Sequence, residues 1–332
     1  GAVGTANTYI GVFIIMFGVI SSGMVAVMSQ NIGAGRPGIA YQARQLGLVF
    51  NAALGVIMSL FLSLGAGTIL SGVGVADALM QPAKTYLQIV GGFCILNALI
   101  PICSSYLRAF GFSKEPLYAS IIGNVINFCL NAFFLFVLHK GVAGVATATV
   151  ISRIINLVIV VLLGAVLVKA KQHPERESNR AVMGQIIRIG LPSACETAIY
   201  NVSMTLVIRF LNQMDAQGLN VTARSYTMQI TNFSYCVGAA LAQANAIMTG
   251  WHIGAKEYDA CDRGTKKAAV IGVIVAVILE TVFTLCSGWI MQLFSKDPQM
   301  VSLVGKLLAI DIVLEIGRVT NLVYGQALKT SG

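Results

Sequence analysis

The chain of 332 residues is 56% hydrophobic and only 11% charged, and its mean hydropathy is +0.79. Soluble domains carry about 25% charged residues, so this composition excludes an ordinary soluble protein and indicates one that crosses a membrane many times. The formal net charge of +9 does not indicate nucleic-acid binding, because the basic residues lie in loops between apolar segments rather than on one folded surface.

Nine apolar segments follow one another along the chain, and each is long enough to cross a bilayer as a helix. They are segment A, 6–33; B, 44–70; C, 83–107; D, 117–138; E, 142–168; F, 182–211; G, 219–250; H, 266–293; and I, 299–328. The segments are too long for barrel strands and lack strict alternation, so strands are not predicted. The predicted fold class is an all-α polytopic membrane protein with nine transmembrane helices.

The lysines and arginines are concentrated in alternate loops, and this predicts the orientation of the chain. The positive-inside rule places the loops at 34–44, 108–116, 169–182 and 250–266 in the cytoplasm of a multi-pass protein of the cell inner (plasma) membrane. The longest polar stretch, 169–181, is predicted as a cytoplasmic linker between domains 1–168 and 182–332.

Several segments carry polar residues that a lipid-facing helix would not favour. Segment D has Asn124, Asn127 and Asn131 on one face, which either lines a cavity or forms hydrogen bonds with another helix. Further candidates for cavity or substrate contact are Tyr200 in F, Gln229 and Asn232 in G, Glu280 in H and Asn321 in I. Glu280 is a lone acid in the middle of its segment, and is either a proton site or an acid with a structural partner.

The stretch 311–321 in segment I is unusual because charges interrupt an apolar run. A charge near the bilayer centre costs at least about 2.5–3.5 kcal/mol. Asp311, Glu315 and Arg318 are spaced i, i+4, i+7 and therefore share one helix face. This face is either the working part of the protein, directed at a cavity or a partner helix, or a structural pair in which Glu315 and Arg318 neutralise each other.

The sequence contains an internal repeat. Stretch 26–35 resembles 246–255, stretch 83–89 resembles 304–310, and stretch 107–111 resembles 328–332. After a one-residue insertion the offset is constant at 221, and it relates segments A, B and C to G, H and I. The copies are six segments apart, an even number, so they have parallel topology. Extended to both ends, the repeat predicts twelve helices in two bundles of six, with one helix before Gly1 and two after Gly332.

Four short motifs resemble the MATE family of multidrug and toxin extrusion transporters. They are the box at 26–35, Leu107-Arg-Ala-Phe-Gly111, Leu328-Lys-Thr-Ser-Gly332, and the opening of segment F, Ile189-Gly-Leu-Pro-Ser193. The motifs are loose individually but agree in order and spacing over the whole chain. The resemblance implies two six-helix lobes around a V-shaped cavity, with family helices 2–6 in 1–168 and helices 7–10 in 182–332.

The resemblance also implies a function, namely secondary-active export of organic cations in exchange for Na⁺ or H⁺ by alternating access. In one branch of the family, acids on the seventh and tenth helices hold the cation, and these helices correspond to segments F and I. The implied coupling residues, and the ligands if the ion is Na⁺, are Glu196, Asp311 and Glu315, with Arg318 as a charge partner. Another branch uses acids in the first lobe, and segments A to E contain none.

The depth of two of these acids gives a geometric prediction. Glu196 and Glu315 each lie 13 residues from the predicted cytoplasmic end of their segment, near 183 and 328. Their carboxylates are therefore predicted within about 10 Å of each other, near the membrane middle, close enough for one ion to couple them.

The predicted partners are small-molecule organic cations and the lipid bilayer, for a monomer that uses no cofactor and is not an enzyme. One alternative is a lipid-linked oligosaccharide flippase of the same superfamily, whose cavity would need several basic residues. The bases in the middle of segments are Arg153 and Arg318, which favours a cation exporter. An integral-membrane enzyme is a more distant alternative, because the sequence does not gather histidines and acids at one surface.

Overall fold

The structure is a computed structural model that describes residues 2–72, 77–168, 175–214, 219–292 and 297–332. Within these ranges every regular element is a helix, and the all-α prediction is confirmed. The chain divides into two compact units, Gly1–Ala194 and Cys195–Gly332.

The first unit holds seven complete helices and the beginning of an eighth. They are α1 (Ala2–Gly33), α2 (Pro37–Leu64), α3 (Ala66–Gly72), α4 (Asp77–Gly92), α5 (Ile95–Ala109), α6 (Lys114–Ala132) with a π-helical turn (Phe133–Val137), α7 (Gly141–Leu167) and the start of α8 (Asn179–Met214). Helices α1, α2, α4, α5 and α7 pack against one another around two clusters of buried apolar side chains.

The second unit holds the rest of α8 and four further helices. They are α9 (Leu219–Gly254), α10 (Tyr258–Leu285), α11 (Ser287–Gln292) and α12 (Pro298–Ser331). Helices α9, α10 and α12 each pack against the other two, and the short α11 packs against α12. The side chain of Asp297 caps α12 by accepting a hydrogen bond from the backbone N–H of Gln299 at 3.0 Å.

Four helical stretches within the described ranges are long and apolar enough to cross a membrane. They are Pro37–Leu64, Lys114–Val137, Gly141–Leu167 and Tyr258–Leu285. The pair Leu79–Gly92 and Ile95–Ala109, bent by 44°, is a fifth if it forms one broken span. All nine predicted segments contain helix, but nine membrane crossings remain a prediction.

The bend between α4 and α5 interrupts segment C, which the sequence predicted as one helix. It follows the pair Gly91-Gly92, and paired small flexible residues are a common cause of sharp helix bends. The hydroxyl of Ser59 on α2 accepts a hydrogen bond from the backbone N–H of Ile95 at 3.1 Å, so the first turn of α5 gains a partner outside its own helix. Pro101 lies within α5, several residues after the bend.

The first turns of α8 are embedded in the first unit. The side chains of Val182 and Ile186 are fully buried in its core. A Cβ atom on Gly23 of α1 would lie 1.9 Å from the carbonyl oxygen of Ile186, so only glycine fits at this crossing. The Gln42 amide nitrogen on α2 donates to the carbonyl oxygen of Glu177 at 2.7 Å, which fixes the chain just before α8.

Corresponding helices in the two units begin and end at a common spacing. Pro37 and Leu64 bound α2, and Tyr258 and Leu285, each 221 positions later, bound α10. The same spacing separates the ends of α1 and α9, at Gly33 and Gly254, and the starts of α3 and α11, at Ala66 and Ser287. This spacing equals the offset of the sequence repeat.

The division into compact units does not coincide with the predicted domains. It falls between Ala194 and Cys195, inside α8, whereas the sequence predicted a linker at 169–181. Of that linker, residues 169–174 lie outside the described residues. The predicted lobes 1–168 and 182–332 and the cytoplasmic loops stay predictions.

Candidate functional site

Helix α12 buries one stripe of side chains along its whole length, and two acids occupy the middle of the stripe. The buried positions recur every three or four residues, at Met300, Val304, Leu308, Asp311, Glu315, Val319, Val323, Ala327 and Thr330. This is the spacing of one helix face, and the face packs on α9 and α10. The acids therefore lie between helices of the second unit.

Helix α10 presents a matching stripe that consists mostly of small residues. Its buried positions are Thr265, Ala269, Gly272, Ala276 and Glu280. A Cβ atom on Gly272 would lie 2.8 Å from Cγ1 of Val319, so α12 approaches α10 closely at this level. Glu280 lies about two turns after Gly272, and Asp311 about two turns before Val319. The close approach thus sets Glu280 opposite the acids of α12.

Substitution of Gly272 with alanine is expected to lower the free energy of unfolding by about 1–3 kcal/mol, because the added methyl group overpacks the contact with the branched Val319 side chain. The measurement is thermal unfolding in detergent. The matched control is Gly317→Ala on α12, where a Cβ atom meets nothing within 4 Å. The control is expected to be neutral or slightly stabilising, since alanine favours a helix over glycine. Equal melting temperatures for the two variants would contradict the close approach.

Three carboxyl groups converge at this level. One oxygen from each of Glu280, Asp311 and Glu315 lies within 4.8 Å of the other two. The exposed fractions of the three residues are 0%, 8% and 0%, so water does not solvate the group. The Ser234 hydroxyl of α9, also fully buried, lies beside Glu280 but outside hydrogen-bond geometry. All three helices of the packed trio contribute to this site.

Arg318 supplies the one positive charge that contacts the cluster in the described part of the chain. Its guanidinium donates to Glu315 Oε1 and, at 3.2 Å, to Asp311 Oδ1. Its own side chain is 27% exposed, far more than the acids it contacts. The ion pair between Glu315 and Arg318, one of the two alternatives from the sequence, is therefore present. It does not neutralise Glu280.

Four buried carboxyl oxygens remain without a hydrogen-bond partner among the residues that the structure describes. They are Glu280 Oε1 and Oε2, Asp311 Oδ2 and Glu315 Oε2. With all three acids ionised the cluster would carry two more negative than positive charges, and a buried excess charge is costly. Protons or a small cation would remove this excess, and carboxylate oxygens are the ligands that hard cations prefer. The arrangement can therefore bind a proton or a small cation.

Glu196 does not join this cluster. Its Oε2 lies 2.7 Å from Nζ of Lys329, and the Glu196 side chain is 58% exposed. Lys329 lies 14 residues after Glu315 in the same helix, which is about 21 Å along the axis. The predicted approach of the Glu196 and Glu315 carboxylates to within about 10 Å is therefore wrong. The two glutamates lie the same number of residues from the predicted ends of their segments, but they do not lie at the same depth. Glu196 on α8 lies beside the C-terminal end of α12, where Lys329 supplies its counter-charge.

The asparagines of α6 form a polar contact with α7. The Asn127 amide nitrogen donates to Ser152 Oγ at 3.3 Å, and that of Asn131 donates to Asn127 Oδ1 at 3.0 Å. Helix-to-helix hydrogen bonding, one of the two expectations for this stripe, accounts for Asn127, whereas the bond of Asn131 stays within α6. Asn124 is exposed, and its role as a cavity-lining residue stays a prediction.

The remaining predicted contact residues lie outside the acidic cluster. Tyr200 on α8 and Asn321 on α12 are exposed. Gln229 and Asn232 on α9 line a groove of about 540 Å³ in the second unit. The other lining residues are Met228, Ile230, Phe233, Phe283 and Ile290. The groove combines amide and aromatic side chains.

Glu280 is the member of the cluster that the sequence interpretation treated separately. The signal that could have joined it to Asp311 and Glu315 is its position in the small-residue stripe of α10, four residues after Ala276. That stripe marks the face on which another helix approaches closely. The sequence does not state which helix approaches, and the packing of α12 decides it.

Comparisons with known proteins agree with this architecture. A family profile described as MatE matches residues 1–133 and 192–332. The uncharacterized transporter YisQ of Bacillus subtilis (strain 168) is 30% identical over 337 residues, which cover 100% of this chain and 74% of YisQ. The probable multidrug resistance protein YoeA of the same organism is 24% identical over 279 residues, and the match covers 80% of this chain and 59% of YoeA.

Two solved structures have a similar fold. One is the outward-facing conformation of a multidrug resistance MATE family transporter of the MOP superfamily, with a TM-score of 0.90 at 16% identity, covering 100% of this chain and 74% of that one. The other is the eukaryotic MATE transporter AtDTX14, with a TM-score of 0.83 at 18% identity, covering 99% of this chain and 75% of that one. At these identities the similarity shows the fold.

Proposed function

This chain belongs to the MatE family, whose members are integral membrane transporters rather than enzymes, and from that premise we propose that it forms the core of a secondary-active exporter driven by Na⁺ or H⁺. The exported compounds are small organic cations, in keeping with the name of the relative YoeA, a probable multidrug resistance protein. The exporter is a monomer in the cell inner membrane. Neither a cofactor nor nucleic acid takes part in the proposed mechanism.

The observation that carries the proposal is the buried convergence of Glu280, Asp311 and Glu315, whose oxygens lie within 4.8 Å of one another. We assign the coupling ion to this cluster. An acid buried among other acids favours its protonated form, and the same oxygens can instead ligate Na⁺. Either ion removes excess negative charge from the site, and this gives the ion a free energy of binding that depends on how the helices are arranged.

The first unit provides an internal comparison that separates this role from a folding role. At the spacing of 221, Glu280 corresponds to Ser59, Asp311 to Val90, Glu315 to Cys94 and Arg318 to Asn97. All four counterparts are uncharged, and the described residues of the first unit bring no group of acids together there, although Arg153 lies near Cys94. A bundle of this type therefore does not need these charges to fold, which supports a functional reason for retaining them in the second unit.

The proposal places substrate contact in the second unit at the groove lined by Gln229, Asn232, Phe233 and Phe283. Aromatic rings attract an organic cation through the negative face of the π system, and the amides orient its polar groups. Phe283 follows Glu280 by three residues on α10, so the groove and the cluster share a helix. Ion binding at the cluster can in this way alter the packing that forms the groove.

The test is export of fluorescent organic cations from proteoliposomes that contain the full-length protein. Inward gradients of Na⁺ and of H⁺ are imposed separately, with dissipated gradients and empty vesicles as controls. One of the two gradients is expected to drive export of at least one cation, and this gradient identifies the coupling ion. If neither gradient drives export of any cation, the proposed function is wrong.

A further inference from the structure

We infer that Arg318 is a resident cation of the acidic cluster, which the coupling ion must displace from the carboxylates of Asp311 and Glu315. The inference rests on the proposed function of the cluster as the coupling-ion site. It assigns to Arg318 a positioning role that controls ion affinity, in addition to its structural contacts. The arginine then acts as a competitor that is covalently tethered to the site.

The contacts of Arg318 place it where an ion would bind. The guanidinium donates to Oε1 of Glu315 and to Oδ1 of Asp311, so one oxygen of each acid is already taken. The second oxygen of each acid has no partner among the described residues. An ion that uses the full ligand set of the cluster must therefore share these two carboxylates with the guanidinium or replace it.

The cluster keeps a net negative charge that Arg318 does not neutralise. The charged groups that face Glu315 are Glu280 from α10 and Asp311 and Arg318 from α12, and α9 places the neutral Ser234 beside Glu280. One guanidinium faces three acids, and both oxygens of Glu280 are buried and unpartnered in the described structure. A purely structural ion pair would leave no such excess. The excess draws a further cation to the cluster, and that cation gains the full set of ligands only when Arg318 leaves the two carboxylates.

Exchange of Arg318 for an ion requires no movement of the backbone. Arg318 and the two acids that it contacts all lie on α12, so rotation about the arginine side-chain torsions is sufficient to break both contacts. The Arg318 side chain is 27% exposed, whereas Glu315 is fully buried. The arginine can therefore move toward its exposed side and leave the acids to the ion. When the ion departs, the guanidinium returns and prevents the vacated acids from remaining uncompensated.

This role predicts the sign of an affinity change. Arg318→Gln removes the competitor and keeps a side chain of moderate length, so the purified full-length protein is expected to bind its ion about tenfold more tightly or better. The probes are Na⁺ itself, in radiolabelled binding, and protons, through the infrared carbonyl bands of protonated carboxyl groups during a pH titration. Arg318→Lys keeps the positive charge and is the matched control, with an affinity expected to stay within a few fold of the wild type.

Each outcome decides a separate point. Ion or proton affinity that is unchanged or weaker in Arg318→Gln, in a protein whose wild type binds, overturns the resident-cation role and leaves the proposed function standing. Absence of Na⁺ binding and of carboxyl titration in the wild type and in the variant instead removes the proposed function. Should Arg318→Gln not fold, the pair Glu280→Gln and Glu280→Gln/Arg318→Gln is compared, because the glutamine at position 280 lowers the excess negative charge that Arg318→Gln alone leaves in the cluster. Tighter binding in the double variant supports the inference, and equal or weaker binding overturns it.

Discussion

Replacement of Glu280 with glutamine is expected to reduce gradient-driven export roughly 100-fold, while the melting temperature stays equal to the wild type or rises. Glutamine has nearly the volume of glutamate, so the packing of α10 against α12 is preserved. It cannot become a carboxylate, so it removes the acid whose two oxygens are buried and unpartnered in the described residues. Loss of an uncompensated buried charge favours the folded state. The measurement is counter-transport in proteoliposomes together with thermal unfolding of the same preparation.

The control for this prediction is Asp262→Asn on the same helix. Asp262 is 60% exposed and pairs with Lys266 at 2.6 Å, and solvent screens exposed pairs of this kind so that they contribute little to stability. The control is expected to keep wild-type export and near wild-type stability. A Glu280→Gln protein that exports normally would contradict the coupling role, and one that unfolds would show that the acid has a structural partner.

Replacement of Gly23 with alanine is expected to destabilise the first unit by about 3 kcal/mol, because overpacking at a backbone contact cannot be relieved by a side-chain rotation. The added Cβ atom would lie 1.9 Å from the carbonyl oxygen and 2.8 Å from the carbonyl carbon of Ile186. Helices α1 and α8 must then separate, and the buried contacts of Ile186 are lost. The measurement is the yield of monodisperse protein in size-exclusion chromatography and its melting temperature.

Gly18→Ala on the same helix is the matched control for Gly23→Ala. A Cβ atom on Gly18 meets nothing within 4 Å, so this variant is expected to be neutral or stabilised by up to about 1 kcal/mol through helix propensity. A normal yield and melting temperature for Gly23→Ala would show that α1 and α8 do not cross at Gly23.

The positions of the helices follow from hydropathy, whereas their interruptions do not. Segment E, predicted over 142–168, agrees with α7, Gly141–Leu167, because composition and turn signals bound it on both sides. Segment B was predicted as continuous over 44–70, but the helix ends at Leu64 and resumes at Ala66. Segment H was predicted from 266, yet α10 begins at Tyr258, because a helix continues into polar sequence wherever its hydrogen bonds can.

Residue spacing likewise predicts one part of the candidate site, and the other part depends on how the helices pack. The common face of Asp311, Glu315 and Arg318 follows from helix geometry alone, since all three lie on one helix. The inclusion of Glu280 and the placement of Glu196 beside Lys329 depend on which helices approach and at what level. The pairing of the helices and their relative level depend on contacts such as that between Gly272 and Val319, which cannot be read from sequence periodicity.

The contacts of Arg318 have a consequence for biosynthesis. Asp311, Glu315 and Arg318 lie within eight residues of α12, so Arg318 reaches its two acids as soon as these two turns of helix form, before any neighbour has packed. The helix can leave the translocon with Arg318 already in contact with both acids. Glu280 reaches the membrane earlier, on α10, and meets the acids of α12 only when that helix is delivered. Of α9, α10 and α12, the last to be synthesised is α12. Its insertion therefore completes the acidic cluster and brings in Arg318 in the same step of assembly.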